Sequence, residues 1–459
     1  MTPRLSACVL CALALSHPFA ATAATDADLA EIREQIKSLK DTYETRIRAL
    51  EARLQAAEAA ASAPSAAAAP PANAPAANAP SANTLAAFNP AISLVLQGTY
   101  AHLSQDPNQF AIQGFQVSGD TGPGRRGLGL GESELGFFAS VDDKFAGSLT
   151  LSLTPDNQVS VEEAYGLMTA LPYGLTPKFG RFFSGIGYLN DQHQHAWDFQ
   201  DAPLVYQAFL GGQFTEDGGQ IKWVAPTDTF VELGAEAGNG DAFPGSPRNS
   251  NGVGSYTVFA HMGGDVGASS SWRAGLSYLE ARSSDRDGTL SNVAGQLVDT
   301  GFSGTSRVTI VDGVWKYAPN GNARETNFKL QGEYFWRRER GSLTYDRDGA
   351  LGVTSTADYA ASQSGWYLQG VWQFAPMWRV GLRYDRLDPG NPDYGANAVY
   401  LAAAAFNPER STVMFDYTPS EFSRFRVQYA QSKTRPDFTD NQFFLQYILT
   451  LGAHGAHKF

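Results

Sequence analysis

Apolar side chains recur at every second position from Ala91 towards the C-terminus. The segment 148–153 alternates serine or threonine with leucine, and 378–385 alternates apolar residues with glycine, arginine and aspartate. A two-residue period with one apolar and one polar face predicts half-buried β-strands. The pattern predicts sixteen strands at 91–103, 128–142, 145–153, 159–171, 175–188, 219–225, 230–237, 253–266, 271–282, 307–317, 327–338, 362–374, 378–387, 410–418, 423–432 and 443–459. Alternation alone does not separate a soluble β-sandwich from a transmembrane barrel.

Connection lengths and tryptophan positions favour the barrel. Short turns such as 142–144 and 375–377 alternate with mostly long loops, and outer-membrane barrels combine an even strand number with short periplasmic turns and long outer loops. Two aromatic bands mark the bilayer interfaces of such barrels. Tryptophans near the short turns form one expected band, and those near the opposite strand ends form the other: Trp223, Trp272, Trp315, Trp372 and Trp378, then Trp336 and Trp366. The fold class predicted is therefore all-β, a 16-stranded antiparallel transmembrane β-barrel.

The residues before the barrel predict three further segments. Arg4, an apolar run and a small-x-small site at 21–23 are typical of a signal peptide over 1–24. Residues 25–58 carry a heptad seam with charged flanks, which predicts an α-helical coiled coil and favours a trimer. The tract 59–87 is rich in Ala and Pro and predicts a semi-rigid linker, leaving 88–459 for the barrel. An exported barrel would place the coiled coil in the periplasm.

Composition narrows the classes of function. The formal net charge is -12 and the sequence pI is about 5.1, which argues against nucleic acid as a partner. Both cysteines, Cys8 and Cys11, lie in the predicted signal peptide, so the mature chain has no thiol for catalysis or metal binding. No Gly-x-Ser-x-Gly elbow is present. We therefore expect no enzymatic activity and no cofactor.

Two short motifs and the chain layout resemble a known family. The segment 162–165 (Glu-Glu-Ala-Tyr), followed by 178–182 (Lys-Phe-Gly-Arg-Phe), is similar to the phosphate-selective and related substrate-selective porins. The terminal Phe459 resembles the assembly signature of Gram-negative outer-membrane proteins. The layout as a whole resembles the porin superfamily. This resemblance implies sixteen strands, a homotrimer in outer-membrane lipid, and a loop after the fifth strand that folds into the pore.

The loop 189–218 is the candidate pore constriction. It contains no Lys or Arg, and its acidic residues are Asp191, Asp198, Asp201, Glu216 and Asp217. Arginines of the predicted inward parity are Arg181, Arg273, Arg337, Arg379, Arg383, Arg424 and Arg426. Opposed acidic and basic walls would create a transverse field that selects among small hydrophilic solutes or ions. Alternatively, the arginines pair locally with acids of the lumen wall, or the loop acids face the exterior.

The same loop offers a candidate metal site at His193 and His195, with Asp191 and Asp198 close in sequence. Imidazoles combined with carboxylates suit zinc. The alternative is that both histidines make ordinary hydrogen bonds.

The function predicted is a water-filled channel for passive diffusion. The acidic loop contrasts with the clustered Lys and Arg of anion-selective pores and favours neutral or cationic solutes. Two other functions remain open: a barrel that takes up metal or substrate like a receptor, and an envelope tether that uses the coiled coil. A TonB-dependent receptor needs a plug and about twenty-two strands, which 88–459 is too short to supply.

Overall fold

The computed structural model describes residues 90–118, 121–154, 158–169 and 171–452. The predicted signal peptide, coiled coil and linker (1–24, 25–58 and 59–87) and the terminal Phe459 lie outside these residues. Within the described ranges, no helix has the length and apolar character needed to cross a membrane.

The described residues form one antiparallel sheet of seventeen strands. Their bounds are β1 (Ala91–Leu103), β2 (Gly127–Leu130), β3 (Ser133–Ser140), β4 (Phe145–Leu153), β5 (Val159–Met168), β6 (Leu175–Phe183), β7 (Thr215–Val224), β8 (Phe230–Gly238), β9 (Ser255–Val266), β10 (Ser270–Ser291), β11 (Leu297–Tyr317), β12 (Asn327–Tyr345), β13 (Ser355–Ala375), β14 (Trp378–Asp388), β15 (Glu409–Ser420), β16 (Ser423–Arg435) and β17 (Phe438–Gly452).

The sheet closes into a barrel with sixteen strand positions among the described residues. Each strand pairs with its neighbour in sequence, and β17 pairs with β1 from Ser93↔Gly452 to Leu103↔Gln442. Strands β2 and β3 share one position, because both pair with β1 and are separated by a bulge at 131–132. Because β17 pairs with β1, the ring of strands formed by the described residues has no first or last strand with a free edge, as a barrel in lipid requires. The predicted closed antiparallel barrel of sixteen strands is confirmed.

Side chains on the outer face of the barrel are apolar, and those on the inner face are polar. Leu276, Leu368 and Leu382 lie mid-strand on the outside and are about half exposed or more. The alternate positions of the same strands carry buried polar groups such as Gln369 and Arg383. This reverses the arrangement of a soluble protein and matches a wall that contacts lipid outside and water inside.

Aromatic rings form a band near the short turns. Trp378 contacts both Phe415 and Tyr417, and Phe425 continues the series to Tyr447, with centroid separations between 4.3 and 6.4 Å. Near the middle of β12 and β13, where the apolar outward positions end, Trp336 packs on Tyr334 and Trp366 on Tyr384. The tryptophans of the barrel wall thus lie in two bands, as the sequence predicts.

The hairpins β10–β11 and β12–β13 are longer than predicted. Residues 283–306, expected as a loop, pair from Arg286↔Phe302 to Ser291↔Leu297 after a bulge near Ser283. The outward positions of this extension are polar, so no apolar alternation marks it in the sequence. These hairpins extend the wall well beyond the apolar zone.

Candidate functional site

The connection between β6 and β7, residues 184–214, contacts inward-facing residues of β12, β14 and β16, and we call it the lumen loop. It contains a short 3-10 turn, Gln194–Ala196, and a helix α1, Leu204–Leu210. Pro203 precedes the helix, and Gly211 ends it in the left-handed conformation at φ 67°. All seven helix residues are buried, because they pack between the walls of the barrel.

The Asn190 side chain joins the two ends of the lumen loop, a region that we call its neck. Its Nδ2 donates to the carbonyl oxygens of Ser184 at 2.8 Å and Phe214 at 2.9 Å, and its Oδ1 accepts from the Phe214 amide at 2.8 Å. One buried amide thereby joins the first and last residues of the loop. The whole segment is held as a closed unit across the lumen.

Aromatic packing holds helix α1 against the far wall. Phe209 packs on Phe335 of β12 at 5.7 Å, and on Phe115 from the connection after β1 at 5.5 Å between centroids. Tyr206 packs on Phe335 at 5.2 Å. Burying a side chain of this size contributes about 1.5–3 kcal/mol, so a few rings suffice to keep the helix on the wall.

Two acids of the lumen loop form buried ion pairs with the wall. Asp198 contacts Lys329 and Arg379, and Asp201 contacts Arg383 and Arg410. Burial by itself raises the pKa of Asp198, but the charges of Lys329 and Arg379 hold that pKa well below its usual range. Burial likewise raises the pKa of Asp201, but the charges of Arg410 and Arg383 outweigh burial and hold that pKa below its usual value. Both acids are therefore ionised and neutralised at neutral pH.

Three more wall arginines donate to backbone carbonyls of the lumen loop. Arg337 donates to Ala208 at 2.9 Å, Arg424 to His195 at 3.2 Å, and Arg426 to Trp197 at 2.8 Å. Carbonyl groups that water would otherwise solvate are thus satisfied by charged donors, which make stronger hydrogen bonds than neutral ones. Wall arginines anchor the loop along its length from His195 to Ala208.

Asp191 is the exposed acid of the lumen loop. Together with Tyr188 it lines a cavity of about 300 Å³ against the wall residues Lys222, Arg273 and Lys316. Glu232 of β8 lines the same cavity and pairs with Lys222 at 3.5 Å. The cavity beside the loop is therefore lined by both acidic and basic side chains.

Two predicted loop acids and one predicted wall arginine lie elsewhere. Glu216 and Asp217 belong to β7, because the strand begins at Thr215, four residues earlier than expected. Arg181 and Asp217 pair with each other at 2.6 Å on the outward face, where Phe179 is also exposed. The lumen face of β6 is occupied by Lys178 and Phe182, so Arg181 differs from its expected inward position.

The two histidines of the lumen loop meet carboxylates of β3 and β5. His195 Nδ1 lies 2.7 Å from Glu134 Oε1, and His193 Nδ1 lies 3.2 Å from both Glu134 and Glu162. Glu163 lies 3.2 Å from His193 Nε2. Burial lowers the pKa of His193, but the three carboxylates outweigh it and raise that pKa well above its usual value. The cluster therefore favours a positive charge at its centre.

Several residues of this site are not among the site residues predicted from the sequence. Lys329 and Arg410 pair with loop acids, Glu333 binds the loop helix, and Glu134 and Glu162 meet the histidines. Four of these five lie on the polar parity of their strands, so their inward direction is readable from the alternation. Glu162 is the exception, because it is the extra residue where the register between β4 and β5 shifts. Which inward residue meets the loop depends on the strand order around the barrel and is not readable from local pattern.

Comparison with known proteins gives one relative and several similar folds. An uncharacterized protein of Aquifex aeolicus (strain VF5) is 30% identical, covering 81% of this chain and 80% of that protein. No protein-family model matches the chain.

Similar solved structures include three outer-membrane proteins. The outer membrane channel DcaP of Acinetobacter baumannii is 14% identical and covers 78% of this chain and 96% of its own, with a TM-score of 0.47. The trimer form of OmpT of Vibrio cholerae is 12% identical, with coverage of 79% and 99% and a TM-score of 0.47. The anion-selective porin from Comamonas acidovorans is 11% identical, with coverage of 79% and 99% and a TM-score of 0.48. The barrel assignment itself depends on the pairing of β17 with β1 in this chain.

Proposed function

We propose that this chain, which belongs to the same family as the Aquifex aeolicus protein, is an outer-membrane porin. The closed barrel of sixteen strand positions among the described residues supports the proposal. It forms a water-filled channel through which small hydrophilic solutes or ions diffuse passively, and the lumen loop narrows that channel. The observation that carries the proposal is the polar, charged interior enclosed by an apolar outer wall with two aromatic bands. Barrels of sixteen strands are wide enough to leave an aqueous lumen.

The cavity beside Asp191 is the proposed passage past the lumen loop. Asp198 and Asp201 are neutralised in buried ion pairs, so they are not available to a passing solute. Asp191 and Glu232 remain, together with Lys222, Arg273 and Lys316. The transverse field expected from the sequence is thus concentrated at this cavity, where it orders water and disfavours apolar solutes.

Planar-bilayer recording of the purified full chain tests this function. We expect stepwise conductance, and a reversal potential in a KCl gradient that shifts towards anion preference when Asp191→Asn removes a negative charge from the cavity. Asp143→Asn is the matched control, because Asp143 lies exposed in a short turn outside the lumen. Absence of conductance, or equal shifts in both variants, would contradict the proposal.

The assembly proposed is a homotrimer in outer-membrane lipid, with residues 25–58 as a periplasmic coiled coil. The heptad seam of that segment and the family resemblance support a trimer. Mass measurement of the full chain in detergent, corrected for bound detergent, tests the number of copies. A monomeric mass at micromolar protein concentration would overturn the trimer without affecting the channel proposal.

A further inference from the structure

We propose that His193, His195, Glu134 and Glu162 bind one divalent transition-metal ion of the zinc class, which ties the lumen loop to the wall formed by β3 and β5. Metal binding does not depend on the channel function proposed above; only a consequence for conductance depends on it.

The candidate ligand atoms are already close together. One ligand atom each from Glu134, His193 and His195 lies within 4.8 Å of the others. Glu162 Oε2 lies 3.2 Å from His193 Nδ1 and supplies a fourth ligand. In a tetrahedral zinc site with bonds of about 2.0–2.2 Å, neighbouring ligand atoms are roughly 3.3–3.5 Å apart. The three separations between a carboxylate oxygen and an imidazole nitrogen, 2.7 to 3.2 Å, are slightly shorter than this spacing, and the ligand atoms of Glu134, His193 and His195 all lie within 4.8 Å of one another.

One imidazole nitrogen of this cluster is shared between two carboxylate oxygens. His193 Nδ1 faces Glu134 Oε2 and Glu162 Oε2 at the same distance, 3.2 Å. A single N–H group can point well at one of these oxygens but not at both. Ionised carboxylates accept hydrogen bonds and cannot donate them. A metal ion placed between the three atoms interacts with all of them at once.

The local charge balance also calls for a cation. Three carboxylates, those of Glu134, Glu162 and Glu163, lie within 3.2 Å of the imidazole nitrogens. In the part of the chain that the structure describes, the cationic groups at ion-pair distance from Glu134, Glu162 and Glu163 are the two histidines. When these three carboxylates are ionised, two protonated imidazoles leave one negative charge uncompensated, which a bound cation would offset.

Glu163 occupies the position of a supporting residue behind a metal-bound histidine. Its Oε2 lies 3.2 Å from His193 Nε2, and its Oε1 accepts from the Phe183 amide at 3.1 Å. Histidines that bind a metal through one nitrogen usually donate the other N–H to a carboxylate, which fixes the ring. Glu163 thus selects the tautomer of His193 that directs the Nδ1 lone pair towards Glu134 and Glu162.

The donor set selects the class of metal. Two imidazole nitrogens with two carboxylate oxygens suit zinc and neighbouring transition metals, whereas Ca²⁺ and Mg²⁺ prefer oxygen donors alone. His193 keeps about a quarter of its side chain exposed, so an ion from the lumen can reach the site, while Glu134 and His195 are buried behind it.

Zn²⁺ binding to the detergent-solubilised full chain tests the site. Isothermal titration with zinc chloride, together with metal analysis after dialysis, should find one more Zn²⁺ per chain in the parent than in His193→Gln or His195→Gln. Glu163→Gln should weaken binding about 10- to 100-fold, the cost of removing a carboxylate behind a ligand. Ca²⁺ and Mg²⁺ should not compete.

His261→Gln is the matched control, because His261 is also a lumen histidine paired with a glutamate, Glu232, at 3.0 Å. It should bind Zn²⁺ like the parent. Equal zinc content in the parent, His193→Gln and His195→Gln would overturn the proposal. If those variants fail to fold, the visible absorption spectrum of the parent with bound Co²⁺ tests the site instead. A four-coordinate site should give intense absorption that disappears when Zn²⁺ displaces Co²⁺. A lack of this absorption would refute the site.

Discussion

The hydroxyl of Tyr206 on helix α1 contacts both carboxylate oxygens of Glu333 on β12, at 3.0 Å each. The same carboxylate accepts from the Tyr367 hydroxyl at 2.7 Å and from the Leu189 amide at 3.2 Å. One buried acid therefore binds the loop helix, the neck of the lumen loop and the neighbouring strand. The position of the loop depends on this junction as much as on its ion pairs.

Tyr206→Phe should loosen the loop without unfolding the barrel. The ring packing on Phe335 remains, but a buried hydrogen bond to the Glu333 carboxyl group is lost, at a cost of about 0.5–1.5 kcal/mol. Urea unfolding in detergent measures the loss, and single-channel recording should show noisier current. Tyr334→Phe is the control, because its hydroxyl contacts Ser364 on the outward side of the wall. Equal effects of the two substitutions would contradict a special role for the junction.

Asp201→Asn should be the more damaging change. The substitution leaves the buried guanidinium groups of Arg383 and Arg410 without one of their charge partners, and breaking a buried pair from one side costs about 3–5 kcal/mol. The control is Asp285→Asn, which breaks an exposed pair with Arg347 and should cost about 0–1 kcal/mol. Urea unfolding of both variants in the same detergent checks the difference. Similar losses would mean that burial does not govern these pairs.

The strand pattern could be predicted because each strand has one face in contact with an apolar phase. The prediction for β1 matches the structure at both ends, 91–103, since apolar alternation runs over its full length. The extension of β10 and β11 beyond 282 could not be found in this way, because its outward positions are polar and its inward positions mix polar groups with buried apolar residues such as Leu290 and Phe302. Alternation predicts the part of a strand that contacts lipid and gives no prediction for the remainder.

The interior of the barrel was predictable only in outline. Sequence reasoning identified Asp198, Asp201, Arg379 and Arg383, and the structure brings these together as ion pairs. The partners of His193 could not be found, because Glu134 and Glu162 come from strands far away in sequence that the closed barrel brings beside the loop. The direction of Arg181 depends on the register between β5, β6 and β7, which local alternation through Gly180 does not fix.

Acidification should protonate Asp198 and weaken its ion pairs only at low pH. Its pKa is lowered by Lys329 and Arg379, so its contribution to stability is complete above the ordinary value of 3.8 and is lost as the pH falls below it. The free energy of unfolding of the parent minus that of Asp198→Asn should be constant from pH 7 to about 4 and shrink below that. Urea unfolding in detergent at several pH values checks this. A difference that shrinks near pH 6 would contradict the lowered pKa.

Leu368→Arg should destabilise the barrel in a lipid bilayer. Leu368 lies mid-strand on the outward face of β13 and is about half exposed, so an arginine there must be accommodated in hydrocarbon. An arginine at the bilayer midplane costs about 2–4 kcal/mol in an outer-membrane barrel, and the cost falls to about 0–1 kcal/mol near the interfaces.

Thr356→Arg is the control for this substitution, because Thr356 lies on the same face of the same strand, in the extension beyond the apolar zone. Urea unfolding of both variants in phospholipid vesicles measures the two costs under identical conditions. The expected result is a loss for Leu368→Arg that exceeds the loss for Thr356→Arg by about 2 kcal/mol or more. Equal losses would mean that lipid does not contact the middle of β13, and the placement of the barrel in a membrane would then be wrong.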